Sequence, residues 1–182
     1  MTYCDFVNNN SAGTTDALLH KQYHDHEYGF PLEDDDALFG RLLLEINQAG
    51  LSWTLMLRKQ ENFRLAYDNF SIEKVANYGE EDVQRLLGDA GIIRNRLKIN
   101  AAVFNARRIL ELKEEFGTFK TWLDKQAPLT KADWVKLFRK NFRFVGGEIV
   151  GSFLLSTGYL PDAHDPDCPV FLKTEQRKSR PE

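Results

Sequence analysis

The sequence predicts an all-α protein, and three observations carry that expectation. Apolar residues recur at helical spacing along the chain. Alternating β-branched runs bounded by turns are nearly absent. Glycines fall where periodic stretches end. The stretch EDDDALFGRLLLEINQAG opens with acids suited to a helix N-terminus and closes at Gly50. Leu38, Leu42 and Ala49 lie on one stripe of it. Next, EEDVQRLLGDAGIIRNRLKINAAVFNARRILELKEEFG divides into two helices around the glycine-bearing break GDAGIIR, with Val103, Ala106 and Leu110 lining the inner face of the second. DWVKLFRKNFRF and GEIVGSFLLSTG make further apolar-rich helices. The end, KTEQRKSRPE, is polar and mostly basic, so residues 173–182 are expected to be disordered and 1–172 to form a single domain.

Bulk composition narrows the function classes. With 182 residues, 42% hydrophobic and 28% charged, the chain is an ordinary soluble globular domain able to bury a core. A net charge of -3 means that any nucleic-acid surface is a local patch. No apolar run approaches the ~20 residues of a membrane span, and MTYCDFVNNN lacks the marks of a signal peptide. Two cysteines are too few for a disulfide scaffold. The expectation is a cytoplasmic protein with reduced thiols and no membrane partner.

Four features could carry chemistry. Glu45 sits on the apolar stripe of its helix, where a carboxylate needs compensation: it is either a structural ion pair or part of a site. In NQAGLSW, Leu51 and Trp53 fall in or beside a loop, as a wedge and a stacking platform or as packing over the core. The break GDAGIIRNR joins two helices by a glycine-containing hairpin, a geometry that favours phosphate, and Arg94, Arg96 and Lys98 follow at once, with Arg107 and Arg108 farther along. That run reads as a DNA-backbone site or as a solvated helix face. Last, Cys4 with His24 or His26, plus His164 and Cys168 in HDPDC, makes a Cys2His2 set of the kind tetrahedral zinc prefers, although ligands from both chain ends match no ordinary zinc finger. A disulfide and chance are the other readings of the two thiols.

Taken in order, YHDHEYGFP, EINQAGLSW, RKQENFR, DAGIIRNRLKI and FRFVG resemble the DNA-3-methyladenine glycosylase I family from Cys4 to about Cys168. The resemblance implies a helix-hairpin-helix glycosylase fold with GDAGIIRNR as the DNA grip, where Gly91, Arg94 and Arg96 meet phosphates. It implies a structural zinc held by Cys4, His24, His164 and Cys168, tying residues 1–30 to 155–172; His24 is chosen over His26 because the family pattern Y-H-D-x-E aligns with YHDHE. Glu45 becomes the acidic recognition and catalytic residue, with Tyr23, Trp53, Tyr28 and Phe6 around the base and Leu51 as the wedge. No catalytic aspartate is implied. The activity implied is monofunctional removal of flipped-out 3-methyladenine from alkylated double-stranded DNA, with the free base as product and a monomer as the working form. The chain departs from the family at Phe6 and Tyr28, where tryptophan is common, in the shortened loop APLTKADWVKLF, at Gly151 and Leu155 in place of a Y-x-x-x-Q pattern, and at Glu148. A non-catalytic relative that binds alkylated bases or DNA is the alternative, and a helical interaction protein the third reading.

Overall fold

The structure, a computed structural model, describes residues 2–10 and 13–178. Eleven α-helices form among them: α1 Tyr3–Asn9, α2 Thr15–His26, α3 Asp35–Gln48, α4 Trp53–Ala66, α5 Ile72–Ala76, α6 Glu80–Gly88, α7 Arg96–Phe116, α8 Phe119–Gln126, α9 Lys131–Asn141, α10 Gly147–Ser156 and α11 Phe171–Lys178. A 3-10 turn at Asp68–Phe70 lies between α4 and α5, and no strand occurs among the described residues. The all-α expectation therefore holds. No helix among the described residues is long and apolar enough to cross a membrane.

Local chemistry sets the helix starts. Thr14, Ser52, Asn95, Thr118 and Thr130 each accept a hydrogen bond from a first-turn amide, a contact worth ~1 kcal/mol per helix. The acidic run before α3 goes further. Asp34 caps its own helix at Ala37 N, 2.8 Å. Asp35 accepts from Phe119 N and Lys120 N at 3.0 and 2.9 Å, capping α8. Asp36 accepts from Ile72 N at 3.0 Å, capping α5. Three adjacent carboxylates thus start three helices.

Helix α3 is the axis of the fold. Every residue from Leu38 to Asn47 is buried, because α4, α5, α7, α8 and α10 pack around it. This corrects the expected single stripe: α3 has no solvated face over that span, while Ala49 is only half-buried. The core continues through α7 by way of Ile99, Ala102, Ala106 and Ile109, and into an aromatic cluster of Trp122, Trp134, Phe138, Phe142 and Phe153. Truncating one such buried ring costs about 3–5 kcal/mol.

A second, small cluster joins the chain ends: Cys4 and Phe30 pack with Cys168 and Val170, and Phe171 covers them. Its reach explains a difference at the C-terminus. Residues 173–178, expected to be disordered, continue α11, because Val170 and Phe171 dock and the buried Thr174 donates its hydroxyl to Phe171 O at 2.8 Å. Residues 179–182 of that expected tail lie outside the described residues.

Candidate functional site

Helix α2 presents Tyr23 and His24 inward from consecutive positions, and α1 does the same with Tyr3 and Cys4. In each pair one residue enters a cavity and the other enters a thiol–imidazole cluster. Cys4, His24, His164 and Cys168 are all buried, and their ligand atoms lie within 4.8 Å of one another. Cys4 Sγ is 3.3 Å from His24 Nε2 and 3.6 Å from His164 Nδ1. Cys168 Sγ stands 3.7 and 3.6 Å from the same two nitrogens. The far ring nitrogens are held as well: His24 Nδ1 by Asp25 Oδ1 at 2.8 Å, and His164 Nε2 by the Tyr28 carbonyl at 2.7 Å. Such outer partners fix ring orientation and tautomer, as they do around metals. Burial pushes the Cys4 thiol up to about 12, which a nearby cation would reverse. The set could hold a metal ion. His26 is exposed and outside it, and both cysteines are free thiols.

The adjoining cavity has a volume of about 210 Å³ and is lined by Tyr3, Tyr23, Tyr28, Glu45, Gln48, Trp53, Ser152 and Leu155. Four of the expected residues, Glu45, Tyr23, Tyr28 and Trp53, meet here. Rings surround the space: Tyr23 lies 5.2 Å from Trp53, and Tyr3 stands edge-on to Tyr28 at 5.0 Å. Phe6 does not line it. Its ring stacks behind Tyr3 at 6.1 Å and stands edge-on to His20, because one turn of α1 separates it from the cavity side. Tyr3 takes the wall position expected of Phe6.

Glu45 is 4% exposed, and burial pushes its carboxyl up to about 8 against a lowering by Arg41. Arg41, one turn earlier, is occupied elsewhere. Its guanidinium donates to Tyr23 Oη at 2.9 Å and to Glu27 Oε2 at 3.1 Å. Among the described residues nothing hydrogen-bonds the Glu45 carboxyl. A buried acid without a donor in the lining of an aromatic cavity could accept from a ligand that brings its own donor and positive charge. Among the described residues Glu45 makes no direct ion pair, and Arg41 acts on it only at longer range. Burial also raises the Tyr28 phenol to about 12, so it stays protonated as a donor.

Tyr3, Gln48 and Ser152 were not expected as site residues. Gln48 follows Glu45 by three and was open to discovery from helical spacing. Tyr3 had only its place beside Cys4 to mark it. A further contact fixes it: Tyr3 Oη hydrogen-bonds His20 Nδ1 at 2.8 Å, while His20 Nε2 meets Thr54 Oγ1 at 2.8 Å, next to Trp53. His20 so ties two walls of the cavity together.

The connection expected as a hairpin comprises residues 89–95 between α6 and α7. Gly91 O accepts from Lys59 Nζ and Asn62 Nδ2, at 3.0 and 3.3 Å, which seats the turn on α4. Gly91 N donates to Asp89 Oδ1 at 2.7 Å, so this amide is used inside the turn rather than offered outward. A Cβ at Gly91 would come 2.9 Å from Asp89 Oδ1, so a larger residue there would displace that side chain from its bond to the Gly91 amide. Arg94 is exposed, and Arg96, also exposed, pairs with Glu80 at 3.0 Å.

The basic run is smaller than the sequence implies. Lys98 is buried and donates to Asn47 O and Ala49 O, both at 2.8 Å, closing the C-terminus of α3. Arg107 donates to Ala76 O, and Arg108 to Asn141. Beyond the end of α3, Gly50 adopts φ 80° and Leu51 is 42% exposed.

The methyladenine glycosylase family model matches residues 13–171. The chain is similar to DNA-3-methyladenine glycosylase 1 of Escherichia coli strain K12, 37% identical over 163 residues, covering 79% of this chain and 87% of that protein. Its fold is similar to that of 3-methyladenine DNA glycosylase I from Staphylococcus aureus, 33% identical with a TM-score of 0.79, covering 90% and 96% of the two chains. A further solved relative, 33% identical with a TM-score of 0.79 over 93% of this chain and 97% of the other, is a complex with 3-methyladenine. With most of its length matched, the chain belongs to the methyladenine glycosylase family.

Proposed function

We propose that this protein removes 3-methyladenine from alkylated double-stranded DNA by hydrolysing the N-glycosidic bond. The observation that carries the reading is the unpartnered Glu45 carboxyl in the lining of a ring-lined cavity. A 3-methyladenine nucleotide is cationic and carries an exocyclic amine. Glu45, once ionised, accepts from that amine and attracts the charge. Tyr3, Tyr23, Tyr28 and Trp53 favour a cationic ring over neutral adenine through their faces. The C1′–N bond breaks, the bonding pair neutralises the departing base, and a water molecule adds its oxygen to C1′ and gives up a proton to solvent. The leaving group needs no added proton, so discrimination rather than strong acid catalysis is asked of the pocket.

The helix pair α6 and α7 acts as the DNA-gripping helix-hairpin-helix, with Arg94 and Arg96 on phosphates and Leu51 as the wedge that fills the gap left by the extruded nucleotide. The Cys2His2 cluster fits zinc. Tetrahedral zinc with sulfur at ~2.3 Å and nitrogen at ~2.0–2.1 Å requires sulfur–nitrogen edges of about 3.5 Å. The observed edges are 3.3 to 3.7 Å. When bound there, the ion closes a four-ligand structural site. Cys4, His24, His164 and Cys168 would hold it.

The test is release of free base from methylated duplex DNA, compared with Glu45→Gln. Release by the native protein, lowered in the variant, supports the reading. Tight binding of methylated DNA with no release would replace it with a non-catalytic binder of alkylated DNA.

A further inference from the structure

Two phenylalanines hold left-handed backbone, an unfavourable state for a bulky L-residue, and only one has a packing reason. Phe70, at φ 60°, lies over Gly40, where an added Cβ would come 2.6 Å from its ring, and packs against the core. Phe144, at φ 58°, is 39% exposed and lies outside the core cluster.

The neighbouring residues impose this conformation. Asn105, buried on α7, accepts from Arg143 N at 2.7 Å and donates to Arg143 O at 3.1 Å. Phe142 and Val145 are both buried. The turn is thus anchored on either side of Phe144, which is left 39% exposed. Around that ring the charge is positive: Lys98 Nζ lies 5.9 Å from its centroid, and the adjacent Arg143 guanidinium sits 4.7 Å over the exposed Phe104. Lys98 lies in the first turn of α7, which begins at Arg96, and its ammonium holds the Ala49 carbonyl at the root of the Leu51 loop. Phe144 therefore stands beside the lysine that joins the hairpin to the wedge loop. Glu148, a few residues on, pairs with Lys131 at 3.5 Å.

We propose that Phe144 is a second wedge, inserted into the base stack of duplex DNA beside Leu51. This inference rests on the DNA reading of the same surface. Strained residues persist where their exposure serves a site, and apolar wedges between bases are a general means of unstacking a duplex. An aromatic ring also stacks on any base, so the contact needs no particular sequence. The exposed Arg143 guanidinium, next in sequence to Phe144, favours nucleic acid over an apolar protein face, while the buried Lys98 only braces the turn.

The experiment compares Phe144→Gly and Phe144→Tyr with the native protein in four readouts. These are thermal midpoint, affinity for free 3-methyladenine, kcat/KM on methylated duplex, and fluorescence of a 2-aminopurine placed next to the lesion. Glycine accepts φ 58° without strain. The expected result for Phe144→Gly is an unchanged or higher midpoint, unchanged free-base affinity, at least tenfold lower kcat/KM on duplex and a smaller 2-aminopurine rise. Phe144→Tyr should restore both duplex readouts. Unchanged duplex kinetics and fluorescence in Phe144→Gly would overturn the proposal, as would a parallel fall of midpoint and free-base affinity. If the native protein neither binds nor cleaves methylated duplex, the glycosylase reading falls first and this wedge with it.

Discussion

Tyr3 and Cys4 are neighbours on α1, yet the Tyr3 ring walls the cavity while the Cys4 sulfur enters the thiol–imidazole cluster. The same division recurs at Tyr23 and His24, and His164 holds the Tyr28 carbonyl. All three cavity tyrosines are thus anchored through the four-residue cluster.

Disturbing the cluster should therefore damage the pocket as well as the fold. Structural zinc sites contribute several kcal/mol, and a chain of this length loses ~2–4 °C per kcal/mol, so Cys168→Ser should lower the thermal midpoint by about 10 °C. Affinity for 3-methyladenine should fall several-fold with it. Calorimetry combined with metal analysis checks this. Native-purified protein without zinc, or a midpoint untouched by chelators, would count against the site.

Glu45 gives a signed pH dependence. Its carboxyl is raised from 4.5 to about 8 by burial, so the folded protein holds a proton that the unfolded chain releases. Stability is then highest below about 4.5 on this account and declines as pH rises to about 8, by an amount on the order of a few kcal/mol. Glu45→Gln removes that slope and should make the free protein more stable at pH 8 while lowering kcat/KM on methylated DNA roughly 10- to 100-fold, the worth of a charged hydrogen bond. In the native enzyme kcat/KM should fall as pH drops below about 8, because the ionised acid is the active form. A variant with the same pH profile as native would exclude Glu45 from recognition.

Lys98 is predicted to be a brace rather than a phosphate ligand. Lys98→Met leaves the Asn47 and Ala49 carbonyls without their donor, at a cost of about 2–4 kcal/mol. Urea unfolding measures that loss. The slope of log binding against log salt should stay as in the native protein, since no phosphate contact has been removed.

Arg94 and Arg96 should differ. Arg94→Ala should reduce the salt slope of DNA binding by about one and weaken all sequences alike. Arg96→Ala should do less, because its guanidinium must first leave Glu80. Equal salt slopes in both variants and the native protein would move the DNA grip away from the hairpin.

Asp35 tests the capping scheme. Its side chain serves Phe119 N and Lys120 N, far along the chain, so Asp35→Ala should cost about 1–2 kcal/mol and leave base binding unchanged. A neutral effect on denaturant midpoint would mean that α8 starts without it.

Helices are local objects, and that is why the chain alone determined so much of this fold. Most caps here lie within a turn of the amides they serve, and periodicity reports burial within one helix, so α3, the α6–α7 break and the odd position of Glu45 were all open to reading. The chemistry of thiolate and imidazole likewise marked Cys4, His164 and Cys168 with one of His24 and His26 by residue type, and only the family resemblance chose His24. What a side chain does at long range was not readable. Asp34, Asp35 and Asp36 look like one acidic run but cap three helices. Arg94 and Lys98 look like one basic run, yet Lys98 is withdrawn to bind carbonyls some fifty residues away in sequence, at Asn47 and Ala49. Tyr3 rather than Phe6 walls the cavity because His20 and Thr54, on two other helices, hold it there. Such outcomes depend on which surfaces meet once the helices pack. A one-dimensional pattern carries the period of each helix but not the identity of the partner that covers it.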